Sequence, residues 1–124
     1  MTTLQECYAE LGGGVSSDDI VRRLGSEALV AKYLNSFLRD ENFAALETAL
    51  ASRDVEAAFR AVHSLKGICQ NFDFKALGAS ASALTEALRG GSYGNDVDGL
   101  FSQVKQDYRA TYDAVARYCR GGGA

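Results

Sequence analysis

The sequence predicts an all-α fold, an antiparallel four-helix bundle with short covering helices at its N-terminus. Three observations lead there. The 124 residues include no proline; alanine, leucine, glutamate and arginine are plentiful and β-branched residues are scattered singly, which favours helix over sheet. Apolar residues recur at three- and four-residue spacing through several long segments. Short clusters of Gly, Ser, Asp and Asn divide those segments and leave room only for tight connections. The length suits one domain with a real core and is too small for two. The expected domain covers residues 1–120, followed by a disordered tail at 121–124, Gly121-Gly122-Gly123-Ala124.

Each element has a local reason. Thr3-Leu4-Gln5-Glu6 has the capping-box pattern and opens a short helix that stops before Gly12-Gly13-Gly14. Ser16-Ser17-Asp18-Asp19 caps a second short helix ending at Gly25. Ser26 starts a longer one carrying Leu29, Val30, Tyr33, Leu34, Phe37 and Leu38. Asp40-Glu41-Asn42 interrupts or restarts it, and Phe43, Leu46 and Leu50 continue the apolar face toward Arg53. Asp54 caps the next helix, whose apolar seam is Val55, Ala58, Val62, Leu65, Cys69 and Phe72. That helix ends within Asn71 to Asp73. A tight turn leads to a helix with Leu77, Leu84 and Leu88 that ends at Gly90-Gly91. Ser92 to Gly94 is a loop. Asn95-Asp96 starts the last helix, with Val97, Leu100, Phe101, Val104, Tyr108, Tyr112, Val115 and Tyr118. Helices of this length are marginal alone in water, so burial of their stripes against one another must supply the stability.

Composition narrows the function. The formal net charge is −3, and Lys and Arg are spread along the chain, which argues against nucleic acid as a partner. Three cysteines, Cys7, Cys69 and Cys119, form no CxxC pair. Free thiols fit a reducing cytoplasm, and Cys69, in register with Leu65 and Phe72, reads as a small core residue. The start Met1-Thr2-Thr3-Leu4-Gln5-Glu6 lacks the basic residues and apolar run of a signal peptide. No apolar stretch approaches the ~20 residues needed to cross a membrane.

His63 is the single histidine. At ~100° per residue it lies roughly 120° from the middle of the Val55–Phe72 seam, on the flank near the solvent boundary. Phe59, Lys66, Gly67 and Gln70 share this flank. Histidine alone offers a neutral nitrogen nucleophile near physiological pH. Lys66 stands where it can meet an anion, its stem along the bundle and its ammonium outward. Gly67 costs about 1 kcal/mol relative to alanine inside a helix and makes no cap. It therefore implies close approach, either by a partner or by another helix. The antiparallel turn places His63 level with about Leu84 and Thr85 of the next helix, from which Thr85 or Arg89 is expected to reach the site.

Other chemistries lack their parts. Zinc sites want three or four clustered ligands, and no second histidine exists. The Glu-x-x-His pattern of di-iron bundles is absent, because Arg60 precedes His63 by three residues. Ser64 follows His63 directly and points about 100° away on a helix, unsuited to a Ser/His/Asp hydrolase. Gly12-Gly13-Gly14 lacks the Lys and Ser/Thr of a phosphate-binding loop and reads as a connector.

The stretch Asp54-Val55-Glu56-Ala57-Ala58-Phe59-Arg60-Ala61-Val62-His63-Ser64-Leu65-Lys66-Gly67 resembles the phosphoacceptor helix of histidine-containing phosphotransfer (HPt) domains. An Asp opens the helix, alanines follow, and His-x-Leu-Lys-Gly completes the motif. Asn71 matches a common Asn of that family, and Leu77, Leu84, Thr85 and Glu86 resemble its next helix. The likeness spans about residues 17–118. It departs at Asp73, where the family often has a small residue or Gly; Asp73 is expected to alter the helix end or cap the following helix.

The resemblance implies a four-helix bundle that relays phosphoryl groups in two-component signalling. His63 would be the phosphoacceptor, receiving the group from a receiver-domain aspartate and passing it to another. Lys66 would offset phosphoryl charge, Gly67 would give clearance, and Gln70 would hydrogen-bond phosphoryl oxygens. The chain would hold no cofactor; Mg²⁺ would sit on the partner receiver. It would be a carrier without turnover of its own, a cytoplasmic monomer whose partners are response-regulator receivers and a sensor or hybrid histidine kinase. Phe59 and the first short helices, including Leu4, Tyr8 and Ile20, would supply the partner surface. Two readings compete: a bundle that docks on a receiver or kinase without being phosphorylated, and a purely structural bundle.

Overall fold

The computed structural model describes residues 2–122, which form seven helices and no strand. They are α1 (Leu4–Leu11), α2 (Ser17–Leu24), α3 (Glu27–Leu38), α4 (Asn42–Ala51), α5 (Val55–Phe72), α6 (Lys75–Leu88) and α7 (Val97–Gly122). Their starts are set locally. Thr3 and Glu6 form the reciprocal capping box of α1, and the side chains of Ser16, Ser26 and Asp54 accept from backbone N–H groups at the starts of α2, α3 and α5. Between α3 and α4 the chain breaks, because the Asp40 carboxylate accepts from the Asn42 backbone N–H at 2.9 Å and holds the turn that restarts the helix.

The connector Gly12-Gly13-Gly14 has positive φ at all three residues. Gly13 needs its missing side chain for a second reason: a Cβ there would lie 2.6 Å from Lys75 Cγ. The loop thus lies directly on the start of α6.

α5 packs between α4 and α6, α6 packs on α7, and α7 also receives α1 and α3; α2 rests on α3 and α1. One continuous apolar core results, drawn from every helix. Phe74, 2% exposed, sits at its aromatic centre with ring centroids 5.1 Å from Phe37 and 5.2 Å from Phe72. Phe43 stacks on Tyr108 at 4.2 Å and ties α4 to α7. Cys69 is buried, as its spacing predicts, together with Cys7 and Cys119.

Three expectations change. Leu4, Tyr8 and Ile20 are 3%, 1% and 0% exposed; they belong to the core and offer no partner surface, because α1 and α2 turn their apolar faces inward onto α7 and α3. Asp73 does not cap α6. It closes α5 in the left-handed conformation (φ 54°, ψ 43°), and Phe74 stands at the α6 N-cap without a side-chain cap bond. Aspartate visits that conformation more readily than most residues. Finally, α7 runs through Gly121 and Gly122, where a tail was expected to begin. Adding a residue to an existing helix fixes only that residue for one more hydrogen bond. The rest of the expected tail, Gly123 and Ala124, lies outside the described residues.

Candidate functional site

The site is built on α5, and the sequence explains its exposed face. The Asp54 carboxylate accepts from the Ala57 N–H at 3.1 Å, satisfying one orphan donor of the first turn. Ala58, Ala61, Val62, Leu65, Cys69 and Phe72 are buried between α4 and α6. Ala61 joins the seam that the apolar spacing predicts, and Val55 is only half-buried. With that seam inward, the helical period turns His63 outward.

His63 is exposed, as are Ser64 and Gln70, while Phe59, Lys66 and Gly67 are half-buried beside it. The imidazole lies parallel to the Phe59 ring, with centroids 5.8 Å apart and planes 8° apart. This is an i,i+4 contact on one helix face. It restrains the plane of the imidazole without occupying either nitrogen.

Gly67 has nothing within 4 Å of the position a Cβ would take. The glycine therefore makes no tight helix–helix contact, and the clearance above it opens outward. By contrast, Gly78 of α6 does serve packing, since a Cβ there would lie 3.4 Å from Cys69 Cβ.

Lys66 forms no ion pair among the described residues. It lines an open cleft of about 370 Å³ between α5 and α6, together with Gln70, Lys75, Gly78 and Ser82. Its charge is felt by Glu86 of α6, whose carboxyl is held below the usual carboxylate range mainly by a hydrogen bond from Arg89, with Lys66 adding a smaller effect. Arg89 donates to Glu86 at 2.7 Å and 3.2 Å. Its guanidinium lies over the Phe59 ring, 5.4 Å from the centroid. Arg89 therefore reaches the neighbourhood of His63, whereas Thr85 does not: it is 0% exposed, and its hydroxyl donates to the Ala81 carbonyl at 2.7 Å.

The other flank of α5 is mostly apolar, with Arg23, Ser36 and Asp40 at its polar edge. A groove of about 490 Å³ runs beside it, lined by Leu24 of α2, Tyr33 and Phe37 of α3, and Ile68, Asn71 and Phe72 of α5. Leu29 and Tyr33, 37% and 42% exposed, stand one turn apart on α3. The tether of Arg89 by Glu86 and the groove escape sequence reasoning. An i,i+3 Glu–Arg pair is visible in Glu86 and Arg89, but where its guanidinium rests depends on the α5–α6 packing angle.

Chemically the face presents one unblocked imidazole, an ammonium one turn away with no ion pair among the described residues, and an opening above Gly67 beside them. Among the described residues no three of His, Cys, Asp and Glu converge to hold a metal ion. A family model described as the Hpt domain matches residues 32–117, from within α3 to within α7, and so includes this entire face. Neither a curated protein nor a solved structure gives a significant match.

Proposed function

The chain belongs to the Hpt domain family, whose members are phosphotransfer modules of two-component signalling, and on that premise we propose that it relays phosphoryl groups between receiver-domain aspartates through His63. One observation carries the reading. The only histidine stands exposed on the matched segment, with open space above Gly67 and an unpaired Lys66 beside it.

The step balances on one bond each way. The lone pair of Nε2 of the neutral imidazole forms an N–P bond while the P–O bond to the partner's aspartate breaks, and the carboxylate leaves with the electron pair. Return or onward transfer reverses this on another aspartate. The imidazole is kept in orientation by stacking on Phe59. Lys66 meets the phosphoryl oxygens, where a charge-assisted contact is stronger than a neutral one. Gln70, a turn further along, donates to the same oxygens. Gly67 admits the loops of the partner. The partner supplies Mg²⁺ and the remaining catalytic groups, so this chain acts as a carrier without turnover of its own.

The docking surface is the apolar groove along α2, α3 and α5, with Tyr33, Leu24 and Ile68, continued on the other flank by Phe59. A receiver presenting an apolar face with a polar rim fits it. The long helices form the antiparallel four-helix bundle of the family as a single domain, a cytoplasmic monomer served by a sensor or hybrid histidine kinase.

Incubation with a phosphorylated receiver tests the reading. The chain is expected to take up label, and His63→Gln is expected to take up none while still binding the receiver. Binding without any labelling of the wild-type chain would replace the relay by the docking-module reading.

A further inference from the structure

The last four carbonyls of an α-helix have no partner within it. In α5 these belong to Cys69, Gln70, Asn71 and Phe72, and each is received. The backbone N–H of Phe74 donates to the Cys69 carbonyl at 3.0 Å. Arg23 Nη1 donates to the carbonyls of Gln70 and Asn71, both at 3.2 Å. The Tyr8 hydroxyl donates to the Phe72 carbonyl at 2.8 Å. The second terminal nitrogen of Arg23 holds the carboxylate of Asp73, the left-handed residue that closes the helix. Three of the four carbonyls are thus satisfied by α1 and α2, which lie before residue 32 and outside the segment that matches the family model.

The turn sealed in this way is a ridge between two openings. Gln70 lines the polar cleft beside Lys66, and Asn71 lines the apolar groove, which Arg23 itself also borders. Arg23 is well suited to the task. Its planar fork reaches two acceptor sets at once, and a cation at a helix C-terminus is favoured by the helix dipole. A lysine can offer only a single compact ammonium there.

We propose that Arg23 is a positioning residue: by clasping the end of α5 from α2, it fixes the ridge on which a receiver docks, so the N-terminal arm governs affinity for the partner rather than the chemistry at His63. The docking role of the ridge rests on the relay reading above; the clasp itself does not. Arg23 is 42% exposed at its side chain and away from the core, so its loss is local.

Two measurements on the full chain separate these. Hydrogen–deuterium exchange should rise about tenfold over residues 68–73 in Arg23→Ala, a change of about 1.4 kcal/mol in local opening, with α7 unaffected. Arg23→Lys should recover part of the protection. Phosphoryl transfer followed against receiver concentration should show half-saturation raised about tenfold and a maximal rate within about twofold of wild type, because the lost contacts act on docking. Asp73→Asn loosens the same fork, keeps a residue tolerant of the left-handed conformation, and should give the same pattern at smaller size. Unchanged exchange at 68–73 would overturn the clasp. Raised exchange with wild-type half-saturation would overturn the positioning role. If the wild-type chain takes up no label, the relay reading falls, and the exchange result alone decides the clasp.

Discussion

Gly67 gives opposite expectations for stability and for transfer, and that opposition makes it informative. It lies near the middle of α5, where glycine costs about 1 kcal/mol relative to alanine. A Cβ would meet nothing within 4 Å, so no clash opposes the gain. Gly67→Ala should therefore stabilise the chain by about 1 kcal/mol, raising the midpoint of thermal unfolding by roughly 3–6 °C for a protein of this size. Gly67→Leu starts from the same open Cβ position and should fold. In the complex, however, its side chain fills the clearance a receiver needs. Overpacking of a close contact costs about 1–3 kcal/mol, which slows transfer roughly 5- to 150-fold. Circular dichroism melts and the rate of labelling from a phosphorylated receiver read the two effects. If Gly67→Ala failed to stabilise, or Gly67→Leu were labelled at the wild-type rate, the clearance argument would be wrong.

Other perturbations test neighbouring parts of the account. Lys66→Ala removes the unpaired ammonium and should slow labelling, or shorten the lifetime of the label, by roughly 5- to 20-fold, the scale of one partly solvated charge-assisted contact; unchanged kinetics and lifetime would remove Lys66 from the site. Gly13→Ala adds a Cβ at φ 83° and against Lys75, so it should destabilise by at least about 1 kcal/mol in urea unfolding. Burial pushes the Cys7 thiol up to about 11 and the Cys69 thiol up to about 12, from 9.0. These raised values mean that the folded chain holds its thiol protons more tightly than the unfolded one. Their contribution is complete below about pH 9 and is lost as pH rises toward 11 and 12. Urea midpoints should fall across that window, and substituting both cysteines by alanine should flatten the fall. At pH 8 both thiols should react with a thiol reagent only after unfolding.

Much of this molecule could be read from its residues because the signals are local. A capping side chain reaches only two or three residues, so Thr3, Ser16, Ser26 and Asp54 declare their helix starts without tertiary help. The phase of α5 is equally local: the seam from Ala58 to Phe72 puts His63 on a wet flank before any neighbour is known. What covers an apolar face is a different matter. An eight-residue helix shows which side is apolar but not what lies against it: α1, with Leu4 and Tyr8, packs on α7 far along the chain, whereas α2, with Ile20, packs on its neighbour α3. The seal on α5 is invisible for the same reason. Arg23 meets Asn71 across 48 positions and Tyr8 meets Phe72 across 64, and no periodicity couples such pairs. Asp73 carried a trace of its role, as a departure from the family pattern at a helix end, but the guanidinium that pairs with its carboxylate comes from Arg23, 50 positions away.

Locating the phosphoryl group on the labelled chain tests the central claim most directly. After incubation with a phosphorylated receiver, the account predicts an acid-labile, base-stable phosphoramidate mapped to the peptide containing His63, and its complete absence from His63→Gln. Label that persists in His63→Gln, or that resides on any other residue, would contradict it.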